Sequence, residues 1–494
     1  MEKVIRSKDY VALVMILLAA LVVRVIDLDN SLWLDEIATV LYWIRIPVED
    51  LFLNSVYSFN NHIFYSLQAK ASVLVFGESS WSVRLPAVIF GVASIAAMWR
   101  LAYMASGVLQ AHVTAVLIAF SFHHVWFSQN ARGYTELMFW FVFSTIIFIR
   151  GLRNPSWTLW ISYGLAVAAG VYTHLTALVF VAAQFLIAAV IVLRDQGRQG
   201  PWERKSQLVL PLSGFFMGGL LTVLLYFPSI EVVFNQVMYH PLASMGVMTE
   251  RLNPLWTVVE IFRSFGEIAP LLIPTVIVAL GLMAIGMVSL WRKQAIIPIL
   301  FLLHIILLVT LLLVLSMRIW PRFFLIDMGF VLFFITEGVF ICSHYISRVL
   351  KHFTSWKISG NTLFVSLSAV MLIISSGMLL KNYQFPKQDL EAAAKFLKER
   401  QVGENINAIG PGRAWIFTDY YGVDLRVINS LDDLKLSEES SDNNWVVMTF
   451  PNQTARSQLA VMEHLEKNYI LAKTFRGTMG DGNVLIYRNH QVAE

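Results

Sequence analysis

The feature that most constrains this chain is the recurrence of long apolar runs. A helix needs about 20 mostly apolar residues to cross a bilayer. Eleven runs have that character: residues 9–26, 84–105, 108–127, 134–151, 156–173, 175–193, 208–229, 267–291, 295–317, 322–343 and 361–380. The glycines and prolines within them are tolerated in membrane helices. The pattern therefore predicts a helical protein that crosses a membrane many times.

Composition excludes the soluble alternatives. Of 494 residues, 57% are hydrophobic and only 14% are charged, which leaves too little polar surface to cover a soluble core. A formal net charge of +4 is too small for a surface that binds nucleic acid. The single cysteine, Cys342, excludes a disulfide framework and a cysteine metal site. The first apolar run lacks a small-residue cleavage site, so we expect it to be retained as a span.

Residues 62–77 decide the predicted topology. Their apolar side chains recur at helical spacing around a polar face that carries Lys70, as in a helix that lies in the membrane interface. If they do not cross, and the N-terminus is cytoplasmic, the inner loops hold twelve basic residues against five in the outer loops after residue 105. That distribution obeys the positive-inside rule. We therefore expect eleven spans, with residues 27–83 and the C-terminal region outside the cell membrane.

The chain becomes polar from about residue 381. Helical spacing there predicts helices over 389–400 and 455–468, and strand-like patterns occur at 407–410, 425–428, 445–450 and 484–487. A segment of about 110 residues can bury its own core. We therefore expect two domains. The first is a transmembrane domain over 1–380, whose outer loop 27–83 carries interfacial helices, and the second is an extracytoplasmic α/β domain over 381–494.

The first candidate for chemistry is the acidic pair Asp35-Glu36, just beyond the outer end of the first span. Adjacent carboxylates at a membrane interface carry a desolvation and repulsion cost, which an active site can use to tune a general base. The alternative is a solvated acidic pair that caps a helix beginning near Ile37.

Three arginines at the outer ends of spans are the second candidate. Arg132 lies between the third and fourth spans, and Arg318 and Arg322 lie at the end of the ninth. A guanidinium group suits a phosphate through its planar fork of donors. The alternative is an interfacial anchor that reaches lipid phosphates.

Histidines and intramembrane acids complete the set. Histidines collect at the outer boundary, namely His62, His123, His124, His174 and His240. No two of them have the i, i+4 spacing of a helical zinc site, so hydrogen-bonded histidines are favoured over a metal centre. Asp327 and Glu337 lie inside spans, where an acid is functional by default. Asp327 is predicted to pair with Arg322 or Arg318, and Glu337 either pairs with an intramembrane partner or takes part in chemistry.

Taken in order, these motifs resemble the GT-C membrane glycosyltransferases, in the branch related to protein O-mannosyltransferases and lipid A aminoarabinose transferase. Leu32-Trp33-Leu34-Asp35-Glu36 resembles the Asp-Glu motif of that family. The further matches are Asn61-His62-Ile63-Phe64-Tyr65 to "(N)HPPLYY", Phe76-Gly77-Glu78 with Trp81 to Pro86 to "FGxSEWxxRLPS", Ser128 to Tyr134 to "SQEARxY", Thr173-His174 to "THY", and Pro321-Arg322-Phe323-Phe324 to "PRYLLP". The C-terminal region resembles the soluble outer domain of many members.

The resemblance implies transfer of a sugar from a polyprenyl-phosphate donor to an acceptor hydroxyl on the outer face, with inversion. It implies Asp35 as general base, with Glu36 orienting it or binding substrate. Donor phosphate and sugar would be bound by Arg84, Arg132, Arg318, Arg322, His62, His174, Tyr65 and Glu136. Membrane lipids and an acceptor glycan, lipid or protein are the other expected partners.

This chain departs from the family pattern at two places. The acid of "SQEAR" is Asn130, so a second carboxylate role is either lost or taken by Glu136, and a divalent metal stays an open question. Ile63-Phe64 replaces the paired prolines after His62. Two other functions stay open: a lipid or solute transporter, and a catalytically idle scaffold for assembly. The sequence does not identify the sugar or the acceptor.

Overall fold

The structure, a computed structural model, divides into two compact units. It describes residues 6–53, 62–195, 201–239, 253, 255–256, 259, 269–317, 319–353, 357–400, 404–412 and 414–489. The first unit comprises Met1–Ile26, Val48–Ala69 and Arg84–Leu379. The second comprises Asp27–Pro47, Lys70–Val83 and Leu380–Glu494. The second unit therefore joins the C-terminal region with two segments from the first hundred residues, 27–47 and 70–83.

Helices follow the apolar runs. Up to residue 379 they are α1 Ser7–Val25, α2 Leu34–Thr39, α3 Val48–Leu53, α4 Ile63–Phe76, α5 Ser80–Ala105, α6 Val108–Ala119, α7 Phe122–Ser128, α8 Tyr134–Arg153, α9 Trp157–Thr173, α10 Ala177–Asp195, α11 Pro201–Tyr226, α12 Ile230–Tyr239, α13 Ala269–Gln294, α14 Ile296–Val314, α15 Met328–Phe353 and α16 Gly360–Leu379. A π-helical turn, Val40–Ile44, continues α2, and 3-10 turns lie at Phe227–Ser229 and Pro321–Asp327.

Among the described residues, eight helices are long and apolar enough to cross a membrane, and the bent pair α6–α7 makes a ninth if it crosses as one span. The two other predicted spans are also helical, as α1 and the 17-residue α9. The predicted all-α, polytopic fold class is thereby confirmed, while the number of eleven crossings stays a prediction. Residues 62–77 form α4, whose 14 residues are fewer than a crossing needs.

Small residues bring α13 and α15 into close contact. A Cβ atom placed on Gly286 would lie 1.9 Å from the carbonyl oxygen of Phe334, and one on Gly338 would lie 2.0 Å from that of Leu282. Helices in lipid gain little from apolar burial, so close packing of this kind stabilises their association. About two helical turns after Gly286, Lys293 forms an ion pair with the buried carboxylate of Glu337, the residue next to Gly338.

The C-terminal region contains a five-stranded sheet with helices around it. Its strands are β1 Asn405–Ile409, β2 Arg426–Val427, β3 Asn444–Thr449, β4 Tyr469–Phe475 and β5 Val484–Asn489, and its helices are α17 Leu390–Lys398, α18 Leu431–Ser440, α19 Pro451–Ser457 and α20 Leu459–Asn468. The strand order is β2-β1-β3-β5-β4; β1 runs parallel to β2 and β3, and β5 runs antiparallel to β3 and β4. The predicted small C-terminal α/β region is therefore confirmed.

Candidate functional site

A buried arginine in the first unit fixes the loop that carries Arg132. The α6–α7 pair bends by 62°, and such a break removes backbone hydrogen bonds that need new partners. Arg24, fully buried at the end of α1, donates to the carbonyls of Ala20 (2.8 Å) and Ala119 (3.0 Å). The same guanidinium group bonds to Ser128 Oγ at 3.1 Å and to a ring nitrogen of His124 at 2.7 Å. The start of the loop is thereby held against α1.

Arg24 was not among the predicted site residues. The sequence could have indicated its role, because a lone cation inside an apolar run has to find hydrogen-bond partners within the helix bundle. The neighbouring Gln129 adds to the attachment, since its amide donates to the carbonyls of Arg24 (3.1 Å) and Ile26 (2.6 Å).

Four of the predicted binding residues come together in the first unit, and we call them the His–Arg cluster: His62, Arg132, His174 and Arg322. The two imidazole rings lie 4.8 Å apart, and Tyr134 packs edge-on against His62 at 4.7 Å. His62 and Arg132 are buried, at 2% and 1% exposed. The Arg322 guanidinium lies 4.7 Å from the centre of the Trp320 ring, which orients it by a cation–π contact.

Burial and the two arginines keep both histidines neutral. Desolvation, followed by the charge of Arg132, lowers the pKa of His62 well below its ordinary value. Desolvation and the charges of Arg132 and Arg322 lower the pKa of His174 to about 3. The positive charge of the cluster therefore comes from its two guanidinium groups, and its two imidazoles are neutral at physiological pH.

His62 has unused hydrogen-bonding capacity at both ring nitrogens. Within the described part of the chain, neither of its two buried ring nitrogens has a hydrogen-bond partner. A buried polar group left without a partner costs about 1–3 kcal/mol. A polar or anionic ligand bound beside Arg132 would remove that cost.

Close packing at Gly133 brings the loop against α4 and the end of α9. A Cβ atom at this position would lie 2.7 Å from Thr173 Cγ2, 3.0 Å from His62 Nδ1 and 3.2 Å from Tyr65 Cβ. The predicted residue Tyr65 is thus fully buried at this junction rather than at a surface.

Glu136 lies in the first turn of α8 and is fully buried. Its Oε1 accepts hydrogen bonds from Gln68 Nε2 at 2.7 Å and from Trp140 Nε1 at 3.3 Å. Gln68 was not among the predicted site residues. Its spacing from Tyr65 on the same helix, three residues along, placed it on the same face.

The acidic pair lies in the second unit, on the short helix α2. The buried Glu36 turns back on its own helix, and its Oε2 accepts a hydrogen bond from the Trp33 backbone N–H at 3.2 Å. Asp35 is half-buried and is the more accessible of the two carboxylates. The backbone carbonyl of Asp35 accepts from the Thr39 hydroxyl at 2.9 Å.

The remaining predicted residues are distributed as follows. Arg84 is buried on α5, at 2% exposed, and Arg318 lies outside the described residues. The Asp327 carboxylate contacts His304 Nδ1 at 3.0 Å, because α14 brings that ring against the turn that contains Asp327. Its predicted pairing with Arg322 or Arg318 stays a prediction, since Arg318 lies outside the described residues. Glu337 is paired with Lys293, which lies near the end of α13 and just beyond the predicted span 267–291.

No group of three or more His, Cys, Asp or Glu side chains that could hold a metal ion occurs in the part of the chain that the structure describes.

Comparison with known proteins gives one family match. Residues 63–226, which include Arg132, Glu136 and His174, match the family model of dolichyl-phosphate-mannose-protein mannosyltransferases. A sequence search of curated proteins finds no significant match.

Solved structures show the same architecture over nearly the whole chain. ArnT from Cupriavidus metallidurans bound to undecaprenyl phosphate is similar at TM-score 0.50 and 13% identity over 99% of this chain and 99% of that chain. The same protein in the apo state is similar at TM-score 0.53 and 13% identity over 98% of this chain and 99% of that chain. The oligosaccharyltransferase AglB from Archaeoglobus fulgidus, in complex with an inhibitory peptide and a dolichol-phosphate, is similar at TM-score 0.53 and 12% identity over 99% of this chain and 75% of that chain.

Identities this low establish a similar fold alone. The family model covers less than half of the chain, and within residues 63–226 the chain is similar to the dolichyl-phosphate-mannose-protein mannosyltransferases.

Proposed function

We propose that this chain transfers a glycosyl group from a polyprenyl-phosphate-linked sugar to an acceptor hydroxyl on the outer face of the cell membrane, with inversion at the anomeric carbon. The observation that carries the proposal is the His–Arg cluster, in which the charges of two arginines act on a buried histidine whose ring nitrogens have no hydrogen-bond partner among the described residues. Among the similar structures, ArnT is bound to undecaprenyl phosphate and AglB to a dolichol-phosphate.

The donor phosphate is assigned to Arg132 and Arg322. A guanidinium group is a cation that binds phosphate oxygens through parallel N–H donors. His62 and His174, being neutral, bind phosphate or sugar as hydrogen-bonding groups rather than as cations. Phosphate is a good leaving group once its charge is stabilised, so no strong acid is needed at this position.

Asp35 is assigned as general base. It removes the proton of the acceptor hydroxyl while that oxygen attacks the anomeric carbon. The bond between this carbon and the phosphate oxygen breaks, and the electron pair leaves with the polyprenyl phosphate. Glu36 is assigned a positioning role, because its carboxylate already binds the Trp33 N–H within α2. Of the two roles that the resemblance implies for Glu36, the orienting one is retained.

The decisive variant is Asp35→Asn. It keeps the shape of the side chain and removes the proton acceptor, so we expect transfer to fall by at least about 100-fold, the range contributed by general-base catalysis. The assay incubates purified protein with a panel of polyprenyl-phosphate sugars and follows donor consumption.

Asp27→Asn is the matched control. Asp27 is an exposed acid with a backbone φ of 53°, a left-handed conformation that asparagine also tolerates. We expect this variant to transfer at the parental rate. Near-normal transfer by Asp35→Asn would refute the assigned base. A parental protein that binds donors without consuming any would favour the idle scaffold instead.

A further inference from the structure

We propose that the C-terminal region positions the catalytic base, with Gln388 holding the N-terminus of the helix that carries Asp35. This inference rests on the proposed function of Asp35 and assigns a role to the soluble region. It concerns the second unit alone, in which the acidic segment and the C-terminal region pack together.

The helix that carries Asp35 is too short to hold itself in place. It spans only the six residues Leu34–Thr39 before the π-helical turn begins. Isolated helices of this length are unstable in water, and their first N–H groups lack partners within the helix. The helix therefore depends on contacts from outside itself.

Gln388 supplies one of these contacts. Its side chain is fully buried, and its Oε1 accepts a hydrogen bond from the Leu34 backbone N–H at 3.1 Å. Because a backbone N–H only donates, the amide must present its oxygen here, which fixes its orientation. The bond caps the residue directly before Asp35.

Two neighbouring contacts support the same end of the segment. The backbone N–H of Glu391 donates to Ser31 Oγ at 3.2 Å. A Cβ atom on Gly412, which has a φ of +72°, would lie 2.2 Å from Leu34 Cδ1, so the backbone at Gly412 packs directly on the Leu34 side chain.

The far end of the segment is held as well. Arg45 binds both carboxylate oxygens of Glu78, at 2.7 and 3.0 Å, and its guanidinium lies 4.9 Å from the centre of the Tyr420 ring. The rings of Tyr42 and Trp415 lie 5.7 Å apart in an edge-on contact.

Contacts from the C-terminal region therefore flank Asp35 on both sides along the chain, while the carboxylate itself stays half-buried. A catalytic group must be held to within a fraction of an ångström, and a shift of about 1 Å can cost about 100-fold in rate. The contacts at Gln388 and Arg45 are suited to supply that restraint.

The test compares Gln388→Met with Gln388→Glu in the full-length protein. Methionine keeps the length and burial of the side chain but cannot accept the Leu34 hydrogen bond, whereas glutamate retains an acceptor oxygen. We expect Gln388→Met to lower kcat by about 10- to 100-fold with the KM for the donor unchanged, and Gln388→Glu to restore most of it. Gln384→Met, an exposed glutamine four residues earlier, is the control and should match the parent.

A second variant covers the case in which Gln388→Met does not fold. Arg45 is an exposed side chain, so Arg45→Gln should fold normally and lower kcat at unchanged KM by a smaller factor. Parental kcat in both variants, or a loss in Gln388→Met that Gln388→Glu does not restore, would overturn the proposal. Asp35→Asn is assayed in parallel: if it retains transfer, the proposed base fails, whereas an inactive Asp35→Asn beside a fully active Gln388→Met refutes the positioning role alone.

Discussion

Individual polar residues in this chain take their properties from their surroundings. His62 and His174 are ordinary titratable side chains in the sequence, but burial beside two arginines lowers the pKa of both. Arg24 is one charge among many in the sequence, and in the fold it is fully buried and bonded to carbonyls, Ser128 and His124.

The two histidines make stability depend on pH. In the unfolded chain each binds a proton below about pH 6.5, whereas in the folded chain each stays neutral. Lowering the pH below about 6.5 therefore favours unfolding, by at most about 1.4 kcal/mol per pH unit for each histidine. We expect the Tm of the detergent-solubilised protein to fall between pH 7 and pH 5, and the double substitution His62→Gln, His174→Gln to reduce that fall.

His352→Gln is the control, because this side chain is exposed and its substitution should leave the Tm profile unchanged. An equally steep fall in the double variant and in the parent would contradict the assignment of the acid sensitivity to His62 and His174.

At the scale of elements, glycines distinguish helix faces that touch from faces that do not. On α13, Gly286 meets the backbone of α15, whereas a Cβ atom added to Gly281 would have nothing within 4 Å. The two glycines are five residues apart on one helix, but only Gly286 faces α15. An alanine substitution should therefore have opposite effects on stability at the two positions.

We expect Gly286→Ala to destabilise the protein by about 1–3 kcal/mol, because the added methyl group collides with the Phe334 carbonyl and backbone atoms must shift. Gly281→Ala, the matched control, should be neutral or stabilising by up to about 1 kcal/mol, since alanine favours helix. Thermal unfolding in detergent micelles measures both. Equal Tm values for the two variants would show that α13 and α15 do not pack through Gly286.

In the C-terminal region, sequence patterns were sufficient to predict some of the helices and strands. The predicted helix over 389–400 is present as α17, and the predicted strands at 445–450 and 484–487 are present as β3 and β5. The edge strand β4 was not predicted, since its apolar residues Ile470 and Leu471 are both about half exposed and do not alternate. Helix α18 was missed because its sequence is mostly polar.

At the scale of the whole molecule, orientation is the property that the proposed reaction needs most. Charge distribution alone predicts that the α15–α16 loop is cytoplasmic and that the C-terminal region is outside. Lys357 in that loop and Lys435 on α18 are both exposed, and Cys342 is the single native cysteine.

Cysteine labelling tests this orientation. In a Cys342→Ser background, we expect a membrane-impermeant maleimide to label Lys435→Cys in intact cells and to label Lys357→Cys only after permeabilisation. The Cys342→Ser protein without an added cysteine gives the background signal. The reverse labelling pattern would place the C-terminal region in the cytoplasm and remove the basis for chemistry on the outer face.

The sequence by itself determined the class of this protein, because long apolar runs can satisfy their backbone in lipid only as helices, and it identified most candidate residues through ordered motifs. The tertiary structure decided which of them lie close together. Helix packing brought His62, His174, Arg132 and Arg322 into one cluster and placed Asp327 against His304. Patterns within a short stretch of sequence cannot predict such contacts, because they depend on residues that are far apart along the chain. Tertiary packing also joined Gln388, more than 350 residues along the chain, to the helix of Asp35.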